Sequence, residues 1–356
     1  MTSLAIKDLQ KLPVRLTSGH RLCAGCAESI IAKQILMGSE DDIVVSLSTG
    51  CFEVSTTVFP YTSWNVPYVH TAFGNGAATC AGVETAYNAL HKKGKVEQNV
   101  NFVNFAGDGA TYDIGLQALS GAMERGHRMV YVCLNNEAYM NTGIQRSSAT
   151  TIGAQTTTSW PGSVSSGKKE FSKDLTQIMV AHNIPYVAQV SPHNWRDTVQ
   201  KAQKAFKCGG PAFINALSPC PRGWRFASDQ TIAMAKLGVE TCVWPLFEVV
   251  DGKYELTGES ARIADGKVEK KPVLDWINSQ GRYSTFSRTS GSLSSSRCSL
   301  RLTGDGTSSS SCPNSDPGRK NQLTNYHPWQ DGRTAAPVTS FSLIIREVHR
   351  SSLRVV

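Results

Sequence analysis

Two short motifs place side chains of the kind that bind magnesium directly after predicted strands. Gly-Asp-Gly-Ala occupies residues 107–110, and Leu-Asn-Asn-Glu-Ala-Tyr occupies residues 134–139; each follows or ends an apolar run. Asp108 and Asn136 are 28 positions apart, which fits one strand–helix–strand unit. In such a unit both side chains lie at adjacent carboxyl ends of parallel strands, where open α/β sheets bind ligands.

Magnesium prefers an octahedral shell of oxygens, and proteins often supply only part of it while phosphate oxygens supply the rest. The Asp108 carboxylate, the Asn136 amide oxygen and a nearby backbone carbonyl would form the protein part. Gly107 and Gly109 would let the backbone approach a diphosphate closely. Each motif alone is equally typical of a tight turn or a loop, but the pair at this spacing predicts a magnesium-diphosphate site.

A second group of residues consists of cysteines. Cys23 and Cys26 form a CxxC pair, whereas Cys51 and Cys220 lie further along the chain among glycines and prolines. A CxxC pair can hold one edge of a zinc site or of an iron–sulfur site, or act as a thiol redox pair. No thioredoxin-like flanks accompany it, and no second CxxC identifies the other ligands by spacing.

The elements that must position these residues alternate along the chain. Apolar runs predict strands, and helical apolar spacing predicts the helices between them. The strands are expected at residues 42–47, 101–106, 129–134, 186–190 and 212–216, and the helices at 74–90, 113–125, 175–181 and 195–206. This order predicts an α/β fold with a doubly wound, mostly parallel sheet over residues 1–284.

Composition excludes several classes of protein. The 356 residues are 40% hydrophobic and carry a net charge of +8, but +5 of it falls after residue 284, so a nucleic-acid-binding basic face is not expected. No apolar run of about 18 residues predicts a membrane helix. The first ten residues carry no apolar signal core, so the ten cysteines indicate metal or redox chemistry rather than disulfides.

The composition changes sharply after residue 284. Serine accounts for 13 of the 32 residues between 284 and 315, and no sustained periodicity follows. We expect residues 285–356 to form a disordered, Ser/Arg-rich tail.

The motifs at residues 107–115 and 136–143 resemble those of beta subunits of pyruvate:ferredoxin oxidoreductases, members of the thiamine-diphosphate-binding 2-oxoacid:ferredoxin oxidoreductase family. The resemblance covers roughly residues 10–284 and is to the form in which separate alpha, gamma and delta subunits complete the enzyme. It ends where the serine-rich segment begins, which suggests a tail derived from a frameshift or read-through.

This resemblance implies a set of cofactors and ligands. Magnesium would be held by Asp108, Asn136 and the carbonyl of Ala138, with Asn141 near the diphosphate. One 4Fe–4S cluster would be held by the four cysteines Cys23, Cys26, Cys51 and Cys220. Residues 1–284 would therefore form a thiamine-diphosphate-binding and cluster-binding domain.

The resemblance also implies an activity. A 2-oxoacid, most simply pyruvate, would be oxidatively decarboxylated to acetyl-CoA and CO2 with coenzyme A, or formed in reverse, with electrons passing to ferredoxin in the cytoplasm. The glutamate that activates the thiamine belongs to the alpha subunit, so this chain alone would be inactive. Glu28, close to the CxxC pair, is either a residue of this active site or a carboxylate that opposes a helix dipole.

Three alternatives remain at this stage. A branched-chain 2-oxoacid would require only a different pocket. A non-redox thiamine decarboxylase or carboligase would share the two strand-end motifs but not the cysteines. A non-catalytic, zinc-stabilised or cluster-carrying subunit would not need Asp108 and Asn136.

Overall fold

An eight-stranded sheet forms the centre of the chain. The computed structural model describes residue 7, residues 10–162, residue 165 and residues 167–284. The strands run in the spatial order β2-β1-β3-β4-β6-β5-β7-β8. β7 pairs antiparallel with both β5 and β8, and all other neighbouring strands are parallel. They are β1 (Asp42–Ser48), β2 (Tyr68–Thr71), β3 (Val100–Gly107), β4 (Val130–Asn135), β5 (Tyr186–Val190), β6 (Ala212–Leu217), β7 (Phe247–Val250) and β8 (Lys253–Leu256).

Helices fill most of the connections between strands. They are α1 (Glu28–Leu36), α2 (Cys51–Thr56), α3 (Gly76–Lys92), α4 (Leu116–Glu124), α5 (Leu175–Val180), α6 (Trp195–Lys207), α7 (Pro221–Trp224), α8 (Thr231–Glu240), α9 (Gly258–Ala264) and α10 (Val273–Asn278). A π-helical turn, Gly109–Asp113, precedes α4, and 3₁₀ turns cover Ser228–Gln230 and Gly281–Tyr283. The predicted doubly wound, mostly parallel α/β fold is confirmed.

The centre of the sheet is buried on both faces. Every residue of β4, β5 and β6 is buried, which explains their continuous apolar sequences. Val103 and Phe105 of β3 pack in one core with α1 and α6. Asn104, between them, points to the other face, where it lies against Gly76 at the start of α3. Helices therefore cover both sides of the sheet.

The connections leave a crevice between β1 and β3. After β1 the chain moves to β2 on one side, whereas after β3 it moves to β4 on the other side. The connections above the carboxyl ends of β1 and β3 therefore diverge, and ligands bind at such a point in open α/β sheets.

The hairpin of β7 and β8 was not predicted from the sequence. Asp251 and Gly252 join these strands with φ values of 47° and 77°. An Asp-Gly pair favours the left-handed conformations that a two-residue hairpin requires. The hairpin extends the sheet beyond β5 by antiparallel pairing.

The predicted disordered tail, residues 285–356, lies outside the described residues. Within the described part of the chain, no helix is both long and apolar enough to cross a membrane.

Removal of residues 285–356 tests the predicted domain boundary. We expect a chain that ends at residue 284 to keep its far-ultraviolet circular dichroism, because residues 10–284 contain the whole sheet and its helices. Its denaturation temperature should stay within about 2 °C of the full chain, the shift that about 1 kcal/mol produces in a domain of some 250 residues. A chain that aggregates or melts far lower would contradict the boundary.

Candidate active site

A cavity of about 290 Å³ opens above the crevice between β1 and β3. Its walls come from segments at the carboxyl ends of four strands, β1 to β4, and from the start of α1, and they include residues of both predicted motifs. The lining residues that bear on function are Glu28, Cys51, Gly107, Gly109, Asn136, Ala138 and Asn141. The cavity therefore lies where the topology predicts a ligand.

Asp108 and Asn136 follow neighbouring strands that pair in register. Gly107, the last residue of β3, pairs with Leu134 of β4. Asp108 is the next residue after β3, and Asn136 is the next residue after β4. The structure thus places the two residues at neighbouring strand ends, where their spacing predicted them.

Burial leaves the Asp108 carboxylate without a counter-charge. Its side chain is buried, Oδ2 accepts a hydrogen bond from Ser147 Oγ, and Oδ1 has no hydrogen-bond partner. The pKa of this carboxyl is raised to about 8, mainly by burial and also by the charges of Glu137 and Asp113, whereas the hydrogen bond from Ser147 lowers it. A buried charge requires compensation, and a hard divalent cation with carboxylate ligands would supply it. The residues present fit magnesium.

Asn136 joins this loop to α1. Its Nδ2 donates a 3.1 Å hydrogen bond to Glu28 Oε1. Its Oδ1 accepts only a long, 3.4 Å hydrogen bond from the amide of Ala138. Asn136 Oδ1 is thus an oxygen that a cation can recruit without breaking a strong hydrogen bond.

Glu28 is both the first residue of α1 and part of the cavity wall. It is 3% exposed, and its Oε2 has no hydrogen-bond partner. Burial raises the pKa of this carboxyl to about 7, against the hydrogen bonds from Asn136 and Cys26. A buried carboxyl with a pKa near neutrality can hold or release a proton at the cavity.

Position 109 requires glycine because the ring of Tyr139 packs closely against it. A Cβ at this position would lie 2.5 Å from the ring of Tyr139, whose hydroxyl donates a 3.0 Å hydrogen bond to Asp113 Oδ2. At Gly107, in contrast, an added Cβ would meet nothing within 4 Å. The first glycine therefore leaves room at the cavity wall, and the second lets the two motifs pack together.

The residue between Asn136 and Ala138 adopts a strained backbone conformation. Glu137 has a φ of 64°, in the left-handed region that costs a non-glycine residue about 1–3 kcal/mol. Its carbonyl accepts a 2.6 Å hydrogen bond from Thr150 Oγ1, and its carboxylate lies 2.7 Å from the Arg282 guanidinium. The surrounding contacts hold the loop in this conformation.

The CxxC loop is fixed by the segment that follows Cys220. Gly25 has a φ of 75°, and a Cβ there would lie 2.0 Å from the carbonyl oxygen of Ser228. Thr231 Oγ1 donates a 2.5 Å hydrogen bond to the Gly25 carbonyl. A side chain at residue 25 would therefore push the two cysteine-bearing segments apart.

The four predicted cluster cysteines are close enough to influence each other's ionisation. Burial raises the pKa of Cys26, and the charges of Glu28, Cys220 and Cys51 raise it further. Burial likewise raises the pKa of Cys220, which also responds to Cys23. Compensating positive charge is thus needed to hold these groups as thiolates.

Cys23, Cys26, Cys51 and Cys220 offer thiol groups as donors. Four thiolates are the donor set of many 4Fe–4S clusters and also of structural zinc sites.

Two residues connect the cavity with the cysteines. Asn141 lines the cavity and hydrogen-bonds to the thiol of Cys51. Met140 also lines the cavity, and its Sδ would lie 2.4 Å from a Cβ added at Gly223, close to Cys220. The candidate cofactor cavity and the candidate cluster site therefore share a wall.

Three contributors to the site were not predicted. Ser147 hydrogen-bonds to Asp108, Trp224 Nε1 donates a 2.8 Å hydrogen bond to the Asn136 carbonyl, and Arg282 pairs with Glu137. None of them belongs to a motif with a recognisable spacing. Only the tertiary structure brings them to the site.

Comparison with known families supports the arrangement. The sequence profile described as thiamine pyrophosphate enzyme, C-terminal TPP binding domain, matches residues 48–216. This range runs from the end of β1 into β6, and it includes Cys51, Asp108, Asn136 and Asn141.

Curated relatives are similar over most of the chain. Pyruvate synthase subunit PorB of Thermotoga maritima is 45% identical, over 78% of this chain and 85% of its own. The subunit of the same name from Methanocaldococcus jannaschii is 47% identical, over 74% of this chain and 87% of its own. Ketoisovalerate oxidoreductase subunit VorB of Pyrococcus horikoshii is 41% identical, over 75% of this chain and 84% of its own. The chain thus belongs to the family of pyruvate synthase PorB subunits.

Proposed function

We propose that the chain is the beta subunit of a pyruvate:ferredoxin oxidoreductase, which binds thiamine diphosphate, magnesium and one 4Fe–4S cluster. The observation that carries this proposal is the shared wall between two sites. One site has an uncompensated buried carboxylate, Asp108, and the other has four cysteines. A thiamine enzyme without electron transfer would need only the first site.

Asp108, Asn136 and the carbonyl of Ala138 would hold magnesium. Gly107 lies at the cavity wall, where the backbone can approach the diphosphate. The compensation of Asp108 by the cation would remove the electrostatic cost of its burial.

Cys23, Cys26, Cys51 and Cys220 would hold the cluster. When both groups are bound, the thiazolium supplies the electron sink for loss of CO2 from the 2-oxoacid, and the cluster accepts electrons singly. Asn141 and Glu28 lie between the two sites, so they would orient the cofactor and hold a proton beside it. Family resemblance adds coenzyme A as the acceptor of the acyl group.

The complete enzyme would include alpha, gamma and delta subunits, with ferredoxin as the electron acceptor. The surface beyond α2 supports contact with another subunit. Phe59 and Tyr61 are 93% and 78% exposed. Large exposed aromatic side chains are typical of protein interfaces.

Pyruvate is the preferred substrate in this proposal because the named PorB relatives are slightly more similar than the VorB relative. A branched-chain 2-oxoacid is the second candidate, and substrate competition in the assembled complex separates the two.

Metal and thiamine analysis tests the proposal directly. The complex, purified without oxygen, should contain about four irons and four sulfides per chain in addition to the iron of other subunits, together with thiamine diphosphate. Cys51→Ser should lose this iron. Cys208→Ser is the matched control, because that thiol hydrogen-bonds only to main-chain carbonyls of Ala205 and Gly210. Thiamine without iron in this chain would favour a non-redox thiamine enzyme.

Replacement of Asp108 tests the magnesium site. Asp108→Asn keeps the volume but removes the charge, so magnesium-dependent binding of thiamine diphosphate should weaken by more than about 100-fold, beyond the 10- to 100-fold typical of outer-shell changes. Equilibrium dialysis at several magnesium concentrations measures it. Asp251→Asn, in the exposed β7–β8 turn, should bind like the parent. Equal binding by both variants would exclude Asp108 as a ligand.

Replacement of Glu28 tests its role at the cavity. Glu28→Gln keeps a hydrogen-bonding partner for Asn136 but cannot release a proton. We expect kcat to fall by about 10²- to 10⁴-fold, as on loss of a general acid or base. Thiamine and iron contents of the complex should not change. A normal kcat would show that Glu28 serves only the stability of α1.

A further inference from the structure

Two residues that no motif identifies, Trp224 and Arg282, contact the loop 136–138 from outside the cavity. Trp224, at the end of α7, donates a 2.8 Å hydrogen bond from Nε1 to the carbonyl of Asn136. The guanidinium of Arg282 stacks on the Trp224 ring at 4.0 Å and lies 2.7 Å from the carboxylate of Glu137. Both partners of this ion pair are almost completely buried, at 2% and 4% exposure.

We infer that Arg282 is a positioning residue, which sets the geometry of the loop 136–138 for magnesium through its ion pair with Glu137 and its stacking on Trp224. This inference rests on the proposed function, since it assigns a role relative to the magnesium site. Arg282 itself does not line the cavity, so it acts through the loop rather than on a bound group.

The backbone conformation of the loop 136–138 explains why other residues must hold it in place. Glu137 is in the left-handed conformation, from which a non-glycine residue tends to relax. Glu137 lies directly between Asn136 and Ala138, so any rotation of its backbone turns both of their oxygens. The direction of the amide oxygen and the carbonyl oxygen therefore depends on what holds Glu137.

Arginine suits this role better than lysine would. The planar guanidinium makes three contacts at once: its Nη1 reaches Glu137, its Nε donates a 2.8 Å hydrogen bond to Gln280 Oε1, and its face covers Trp224. A lysine would keep the charge, but its ammonium group could not contact Glu137 and Gln280 and also stack on the Trp224 ring.

Few other groups could replace this ion pair. Within the described residues, Arg282 is the one cation in ion-pair contact with Glu137. The other side chains that hydrogen-bond to Glu137 are neutral. Thr151 Oγ1 lies 3.4 Å from its carboxylate, Thr150 Oγ1 donates to its carbonyl, and Asn135 Oδ1 accepts from its amide. Loss of Arg282 would leave the buried Glu137 carboxylate without its ion-pair partner, and only the weaker charge interaction with Lys168 would remain.

The test measures how much magnesium the site requires. The full chain, assembled with its partner subunits and stripped of magnesium and thiamine diphosphate, is titrated with magnesium at saturating thiamine diphosphate, and bound thiamine is measured by dialysis. Arg282→Ala should raise the half-saturating magnesium concentration by about 10- to 100-fold, the effect typical of outer-shell partners. Excess magnesium should restore full binding. Arg282→Lys should fall between Arg282→Ala and the parent.

Glu137→Gln provides a second variant, because it removes the charge with almost no change of volume. It should raise the magnesium requirement as Arg282→Ala does, and it decides the question if Arg282→Ala fails to assemble. Asp197→Asn is the matched control, since it breaks another buried ion pair, with Lys201 in α6. It should lower the denaturation temperature and leave the magnesium requirement unchanged.

Three outcomes would overturn the inference. If Glu137→Gln required the same magnesium concentration as the parent, the ion pair would not act on the loop. An equal rise in Asp197→Asn would show a general effect of lost stability. No magnesium-dependent thiamine binding by the parent complex would remove the proposed function as well, whereas the first two outcomes leave it standing.

Discussion

A buried carboxylate without a counter-charge, Asp108 at the end of β3, is the constraint on which the rest of the site depends. Its Oδ1 has no hydrogen-bond partner among the described residues, and the charges of Glu137 and Asp113, which act on it, are acidic. Such a charge is unfavourable in a closed interior unless a cation joins it. The sheet topology, the left-handed turn at Glu137 and the loop after β4 all serve to place oxygens around the position where that cation would bind.

The same loop connects the carboxylate site to both cysteine-bearing segments. On one side, Asn136 hydrogen-bonds to Glu28, two residues after Cys26. On the other side, the Asn136 carbonyl accepts the hydrogen bond of Trp224, at the end of the short helix that follows Cys220. Two hydrogen bonds to one residue therefore fix the spacing between the candidate thiamine site and the candidate cluster. An enzyme that moves single electrons between two groups gains from such rigidity, because transfer depends steeply on distance.

Most of the fold and part of the site could be predicted from sequence. The five central strands were located within two residues, because strands buried on both faces are continuous apolar runs. Asp108 and Asn136 were paired by the regular length of a strand–helix–strand unit. The β7–β8 hairpin was missed although Asp251 and Gly252 mark its turn. The ion pair of Glu137 with Arg282 could not have been predicted, because no sequence pattern near either residue indicates a contact with the other.

The ion pair of Arg282 with Glu137 has a consequence for biosynthesis. Gly281–Tyr283 is the last turn that the structure describes, yet it holds a loop in the middle of the chain. A ribosome must translate almost the whole domain before this loop acquires its final support. Nascent or truncated chains that stop short of Arg282 would possess every predicted ligand and would still need more magnesium to fill the site. Chains with a complete domain would thus bind the cofactor in preference to incomplete chains.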